Sequence, residues 1–121
     1  MRFLSEYATS YGLALGLKNA GSIIDRVVDF THFSVNEQCV EYSECQVFAQ
    51  FIQNNKPVFH IEYPDGVQSM GRARSEDYCS GLGDARGAGR FSTVLKNMNL
   101  NGYVRYCDGE TATTEMARGS S

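Results

Sequence analysis

The sequence contains no apolar run near the ~20 residues that a membrane-crossing helix requires. It contains no basic run either. Arg72, Arg74, Arg86 and Arg90 are interspersed with acids and glycines, and the net charge is −3. Such a chain does not read as a nucleic-acid binder. It has no Asn-x-Ser/Thr sequon. The run Gly81–Gly89 (GLGDARGAG) lacks the Gly-Lys-Ser/Thr ending of a phosphate-binding loop and does not directly follow a strand, which argues against a nucleotide site. His32 and His60 stand apart, with no His-Glu-x-x-His context. Each reads as a packed or hydrogen-bonded histidine. The four cysteines lack the paired short spacing of a zinc ribbon. No metal and no organic cofactor is therefore expected. There is no internal repeat and no low-complexity segment. The opening MRFLSEYATSYG has no continuous apolar stretch of signal-peptide type.

What is present suits one α/β domain. The chain has 121 residues, 42% hydrophobic and 21% charged, enough for a single core. An even number of cysteines points to an oxidising, extracellular compartment. Together with the missing export signal, this leads to the expectation that an N-terminal part is absent.

Phe3, Leu4, Tyr7, Ala8 and Tyr11 fall on one helical face, and Gly12 is a natural stop. Gly12–Lys18 (GLALGLK) reads as a buried strand. Ser22 can cap a helix running to about Phe30, with Ile23, Ile24, Val27 and Val28 on its apolar face. A strand over Thr31–Asn36 follows, then a helix over Cys45–Asn54 that buries Val47, Phe48, Phe51 and Ile52. Pro57 opens a strand over Val58–Glu62. Its alternation sets Phe59, Ile61 and Tyr63 against Val58, His60 and Glu62. In a barrel, the apolar set would lie under helices and the second set inside, with Glu62 at the mouth. Pro64–Arg90 is polar and aperiodic and reads as a long loop, functional or disordered, and its Gly81–Gly89 run reads as a cover over the catalytic face. Phe91, Val94, Leu95 and Met98 return to a helical period, and Gly102–Tyr106 makes a last strand. The residues after Gly109 read as a frayed tail. Alternating helices and strands predict an α/β fold of four parallel β/α units joined by right-handed crossovers. This is a small open sheet or half of an eight-stranded barrel.

The segment Thr31–Tyr63 concentrates the chemistry. Acids stand at or near the C-terminal ends of two strands, Glu37 in Asn36-Glu37-Gln38-Cys39 and Glu62 in Glu62-Tyr63. That edge is where parallel α/β folds place reactive groups.

LGLKNA, VNEQCVEYSEC, KPVFHIEY and FSTVLKNMNLNGYVRYCDG together resemble family 114 glycoside hydrolases, the endo-α-1,4-polygalactosaminidase-like enzymes. The likeness runs from Met1 to about Gly109, in the family's order. It implies a (β/α)8 TIM barrel of which this chain is the second half, residues 1–109, with 110–121 as a disordered tail. It implies a secreted parent protein, a polysaccharide substrate of α-linked galactosamine or galactose type, and the pairings Cys39–Cys45 and Cys79–Cys107. The family's second catalytic acid, an aspartate, lies in the half that has no counterpart here.

Glycoside hydrolysis usually takes two carboxyl groups, one protonating the leaving oxygen and the other attacking or activating water. Glu62 is the first candidate; its plainer reading is a solvated glutamate at a strand end. Glu37 is the second, with the alternative of a buried acid bonded to neighbouring strand ends. Asn36, Lys18, Tyr63 and Arg105 are candidate substrate contacts. Lys18 reads equally as a surface lysine, and Tyr63 and Tyr42 equally as packing. Two other functions remain open: a carbohydrate-binding half-barrel without hydrolysis, and a half-barrel that self-associates or takes up a missing N-terminal half through its open strand edges.

Overall fold

In a computed structural model, residues 2–19, 21–99 and 101–115 are described. Six strands form one mixed sheet in chain order: β1 (Gly16–Lys18), β2 (Phe33–Glu37), β3 (Val58–Glu62), β4 (Ser92–Lys96), β5 (Tyr103–Tyr106) and β6 (Thr111–Thr113). β1 to β4 run parallel, whereas β5 and β6 are antiparallel to their neighbours. The helices are α1 (Arg2–Ser10), α2 (Ile24–Val27), α3 (Cys45–Gln53) and α4 (Arg72–Cys79), with 3-10 turns at Gly21–Ile23, Val67–Ser69 and Gly83–Ala85. Among the described residues no helix is long and apolar enough to cross a membrane.

The expected four β/α units are thus only partly present. The stretch read as a helix over Phe91–Met98 is strand β4. Its burial alternates, with Thr93 and Leu95 inside and Ser92, Val94 and Lys96 outward. Apolar spacing over so few residues fits a strand as well as a helix, and pairing with β3 decides the outcome. The last strand is antiparallel because Asn97–Gly102 is far too short for a crossover, which takes about a dozen residues. Part of the expected tail is ordered as β6; residues 116–121 lie outside the described residues.

Two other expectations change. GLALGLK contributes only three strand residues, because Leu13 is 63% exposed and the turn at Gly12 (φ +72°) delays sheet entry. The helix expected from Ser22 to Phe30 shrinks to one 3-10 turn and the four residues of α2, with no side-chain cap. The long loop is in turn more ordered than its sequence suggests. α4 has polar residues on every side, so periodicity does not announce it.

One face of the sheet is covered. Leu17 and Val58 pack there with Ile24, Val27, Phe48 and Phe51 from α2 and α3, and Ala85, Ala88 and Phe91 complete the core. A smaller cluster joins Val67, Met70, Leu95 and Tyr103. The Gly-rich run packs on this covered side, with Ala85 and Ala88 in its core. A Cβ on Gly87 would stand 2.6 Å from the Gln46 Cα on α3. The opposite face, carrying Phe33, Val35, Phe59, Ile61 and Val94, has no layer of its own among the described residues.

Candidate active site

Alternation along β2 and β3 sends neighbouring residues to opposite faces, and this parity decides which acid is accessible. Glu37 projects to the open face at the C-terminal end of β2. Its carboxylate accepts a hydrogen bond from the Tyr63 hydroxyl (2.7 Å) and pairs with Lys18 Nζ (3.1 Å). Its backbone N–H donates to Asn19 Oδ1 at 3.0 Å. The Glu37 side chain keeps 28% of its surface exposed and that of Lys18 keeps 66%. Three of the predicted residues, Lys18, Glu37 and Tyr63, therefore come together, with Asn19 beside them.

The electrostatics follow from these contacts. The Tyr63 hydroxyl, then Lys18, hold the Glu37 carboxyl below the usual carboxylate value, against a smaller opposing effect of burial. Burial first, then the bond to Glu37, pushes the Tyr63 phenol up to about 12. At neutral pH this is an ionised carboxylate held by a phenol O–H and an ammonium group.

Glu62 occupies a different environment from the expected barrel mouth. It lies on the covered face with Val58 and His60, and it is 1% exposed. Its Oε2 lies 2.5 Å from His60 Nε2 and accepts the Val40 backbone N–H at 2.7 Å. His60 Nδ1 in turn meets Thr93 Oγ1 at 2.8 Å. The expected arrangement of faces on β3 is thus inverted: Phe59 is 45% exposed, whereas Val58 and His60 are buried. The helices of this chain pack on the polar set because α2 and α3 meet Val58 and its strand neighbours there.

Asn36 also lies on the covered face, fully buried, with neither Oδ1 nor Nδ2 hydrogen-bonded among the described residues. Arg105 Nη1 donates to the Met70 carbonyl at 2.8 Å, and its Nε is buried without a partner. Among the described residues neither side chain hydrogen-bonds to the Glu37 carboxylate. Asn36 and Arg105 were singled out by nearness to a strand end alone, and a count of alternation from Glu37 separates Asn36 from the open face. Thr93 and the Val40 amide carry no signal in the sequence, because only tertiary pairing brings them to His60 and Glu62.

Both disulfides implied by the resemblance are present: Cys39–Cys45 and Cys79–Cys107. Cys39 Sγ lies 3.2 Å from His60 Nε2, and Cys39, Cys45, His60 and Glu62 form one buried cluster. Both sulfurs are covalently paired, so the cluster is not a set of free thiolate ligands. The disulfides fit an oxidising compartment.

Comparison with known proteins agrees with this architecture. The model of glycoside-hydrolase family GH114 matches residues 1–112. A crystal structure of Aspergillus fumigatus Ega3 in complex with galactosamine superposes with a TM-score of 0.72 and 47% identity. The likeness covers 87% of this chain and 42% of that one. Among curated proteins none matches. A family match over nearly the whole chain, on a sheet whose parallel strands present a held carboxylate at their C-terminal edge, establishes that the chain belongs to glycoside-hydrolase family GH114.

Proposed function

We propose that this chain is part of a glycoside hydrolase acting on an α-linked galactosamine- or galactose-type polysaccharide, and that Glu37 is the catalytic carboxylate it contributes. The observation that carries this is the setting of Glu37: the end of a parallel strand, the open face, and an ionised state kept by Tyr63 and Lys18. An ionised carboxylate suits the nucleophile or the general base, not the proton donor. Lys18 and Tyr63 orient it and remain within reach of substrate hydroxyls. Glu62, the first candidate on sequence grounds, is too enclosed to meet a sugar and serves the site from behind. The second carboxyl group, the proton donor, would come from the further β/α units of a complete barrel.

The uncovered surfaces support a missing half. The sheet face beside Glu37 is open, and α1 leaves Phe3, Leu4, Tyr7 and Tyr11 more than half exposed. A set of four further β/α units would cover both and bring a second acid. The galactosamine bound by the similar Aspergillus protein supports an amino-sugar substrate. Secretion of the parent protein fits the two disulfides.

The test is hydrolysis of a galactosamine-rich polysaccharide by the chain alone and by the chain expressed behind a complementary four-stranded β/α half. Hydrolysis is expected only in the completed form. Glu37→Gln should lower its kcat by about 10²–10⁴-fold, with the fold intact by circular dichroism. Full activity in Glu37→Gln refutes the assignment. Retention of the polysaccharide by every form, with hydrolysis by none, favours a carbohydrate-binding half-barrel instead.

A further inference from the structure

Glu37 ends β2, and the next residue, Gln38, adopts φ +60°. A side chain in the left-handed region is disfavoured and persists only where its surroundings hold it. The chain there must turn from the open face to the covered one within two residues. The Gln38 N–H donates to the Ile61 carbonyl at 2.8 Å, and the Glu44 N–H to the Cys39 carbonyl at 2.8 Å. The Tyr42 N–H donates to the Gln38 carbonyl at 3.2 Å and the Ser43 N–H to the Val40 carbonyl at 3.1 Å, which closes the turn on itself; a side chain ties it to β3, the Glu62 carboxylate that accepts the Val40 N–H.

That carboxylate is itself held. His60 binds it through Nε2, and His60 is held through Nδ1 by Thr93 on β4. The Phe91 ring meets the imidazole edge-on at 5.8 Å, and the Cys39–Cys45 disulfide closes the other side. Every member but the Val40 amide is a side chain buried under helices. Hydrogen-bonded polar pairs so deeply enclosed contribute little net stability, and apolar groups of similar volume often do as well. Their value here is geometric: a continuous chain of bonds from β4 through β3 to the turn that follows Glu37.

We infer that Glu62 and His60 are positioning residues for Glu37: the bonded chain from Thr93 to the Val40 amide holds the left-handed turn at Gln38 and so aims the Glu37 carboxylate at Lys18 and Tyr63. The catalytic meaning of this clamp rests on Glu37 being the reactive carboxylate; its existence does not.

The experiment follows two signals in the full chain by nuclear magnetic resonance: the titration midpoint of the Glu37 carboxyl and the hydrogen exchange of the Val40 amide. Glu62→Leu removes the acceptor and Thr93→Val releases the imidazole. Each is expected to move the Glu37 midpoint up toward the ordinary carboxylate value, and to speed Val40 exchange about tenfold or more through local opening. Thr93→Ser keeps a hydroxyl and should behave as wild type. Val58→Ala, a core truncation outside the clamp, should lower global stability and leave the Glu37 midpoint in place. Unchanged midpoint and exchange in both Glu62→Leu and Thr93→Val overturn the inference, as does an equal shift in Val58→Ala. If Glu37→Gln keeps full hydrolysis while Glu62→Leu still shifts the midpoint, the clamp stands and the catalytic reading falls.

Discussion

At the scale of single residues, the side a residue faces decides its chemistry. Glu37 and Glu62 are both glutamates at strand ends, yet Glu37 keeps 28% of its side chain exposed and is held ionised on the open face, whereas Glu62 is 1% exposed and bonded to His60 and the Val40 amide. Tyr63→Phe removes the largest cause of the lowered Glu37 value, so its titration midpoint should rise. Linkage fixes the signs. A depressed carboxyl stabilises the fold above its unfolded pKa, and that stability is lost as pH falls through the folded value. Urea midpoints should therefore decline on acidification below the ordinary carboxylate range, and less so in Tyr63→Phe. The Tyr63 phenol is raised, so its contribution is complete below about pH 10 and is lost as pH climbs from there toward 12. Asn36 gives a prediction of unusual sign. A buried polar group without a partner costs about 1–3 kcal/mol, so Asn36→Val should raise the urea midpoint. A marked loss of stability would show that the amide has partners after all.

At the scale of elements, the strands β2 and β3 and the helix α3 were legible, whereas β4 and α4 were not. β2 and β3 carry alternation between clear breaks, and α3 repeats its apolar face over more than two turns. β4 has five residues whose side chains fit either period, so its state is chosen by the β3 edge that it completes. α4 has no apolar stripe; its C-terminal end is fixed by the Cys79–Cys107 bridge to the residue after β5. With a sequence separation of 28, that bridge is expected to stabilise the chain by about 3–4 kcal/mol. The bridge of separation 6 between Cys39 and Cys45 should contribute about 2 kcal/mol. Paired Cys→Ser variants in denaturant titrations measure both, and the longer loop should lose more.

At the scale of the whole molecule, the sheet is layered on one side only. Its open face shows Phe59 at 45% and Tyr106 at 42% exposure, and α1 with the turn after it bears a ladder of exposed Phe3, Tyr7 and Tyr11 rings. Apolar surface of this kind marks an interaction site or an aggregation liability. Phe59→Lys loses the edge-on contact with the Phe33 ring at 5.8 Å and should cost about 0.5–1.5 kcal/mol, while reducing any concentration-dependent mass seen by light scattering. A large loss of stability would mean that Phe59 is packed in solution.

Sequence by itself determined the family, the pairing of parallel strands β1 to β3 and the cysteine pattern, because motif order and residue spacing are written along one dimension. It also brought Lys18, Glu37 and Tyr63 into consideration by their places at strand ends. Only the tertiary structure decided that β5 turns back on β4, that helices cover the Val58–His60–Glu62 side, and that Glu37 rather than Glu62 faces the open side. Those choices depend on which sheet face the helices bury, and a strand's alternation is symmetric until packing breaks the tie.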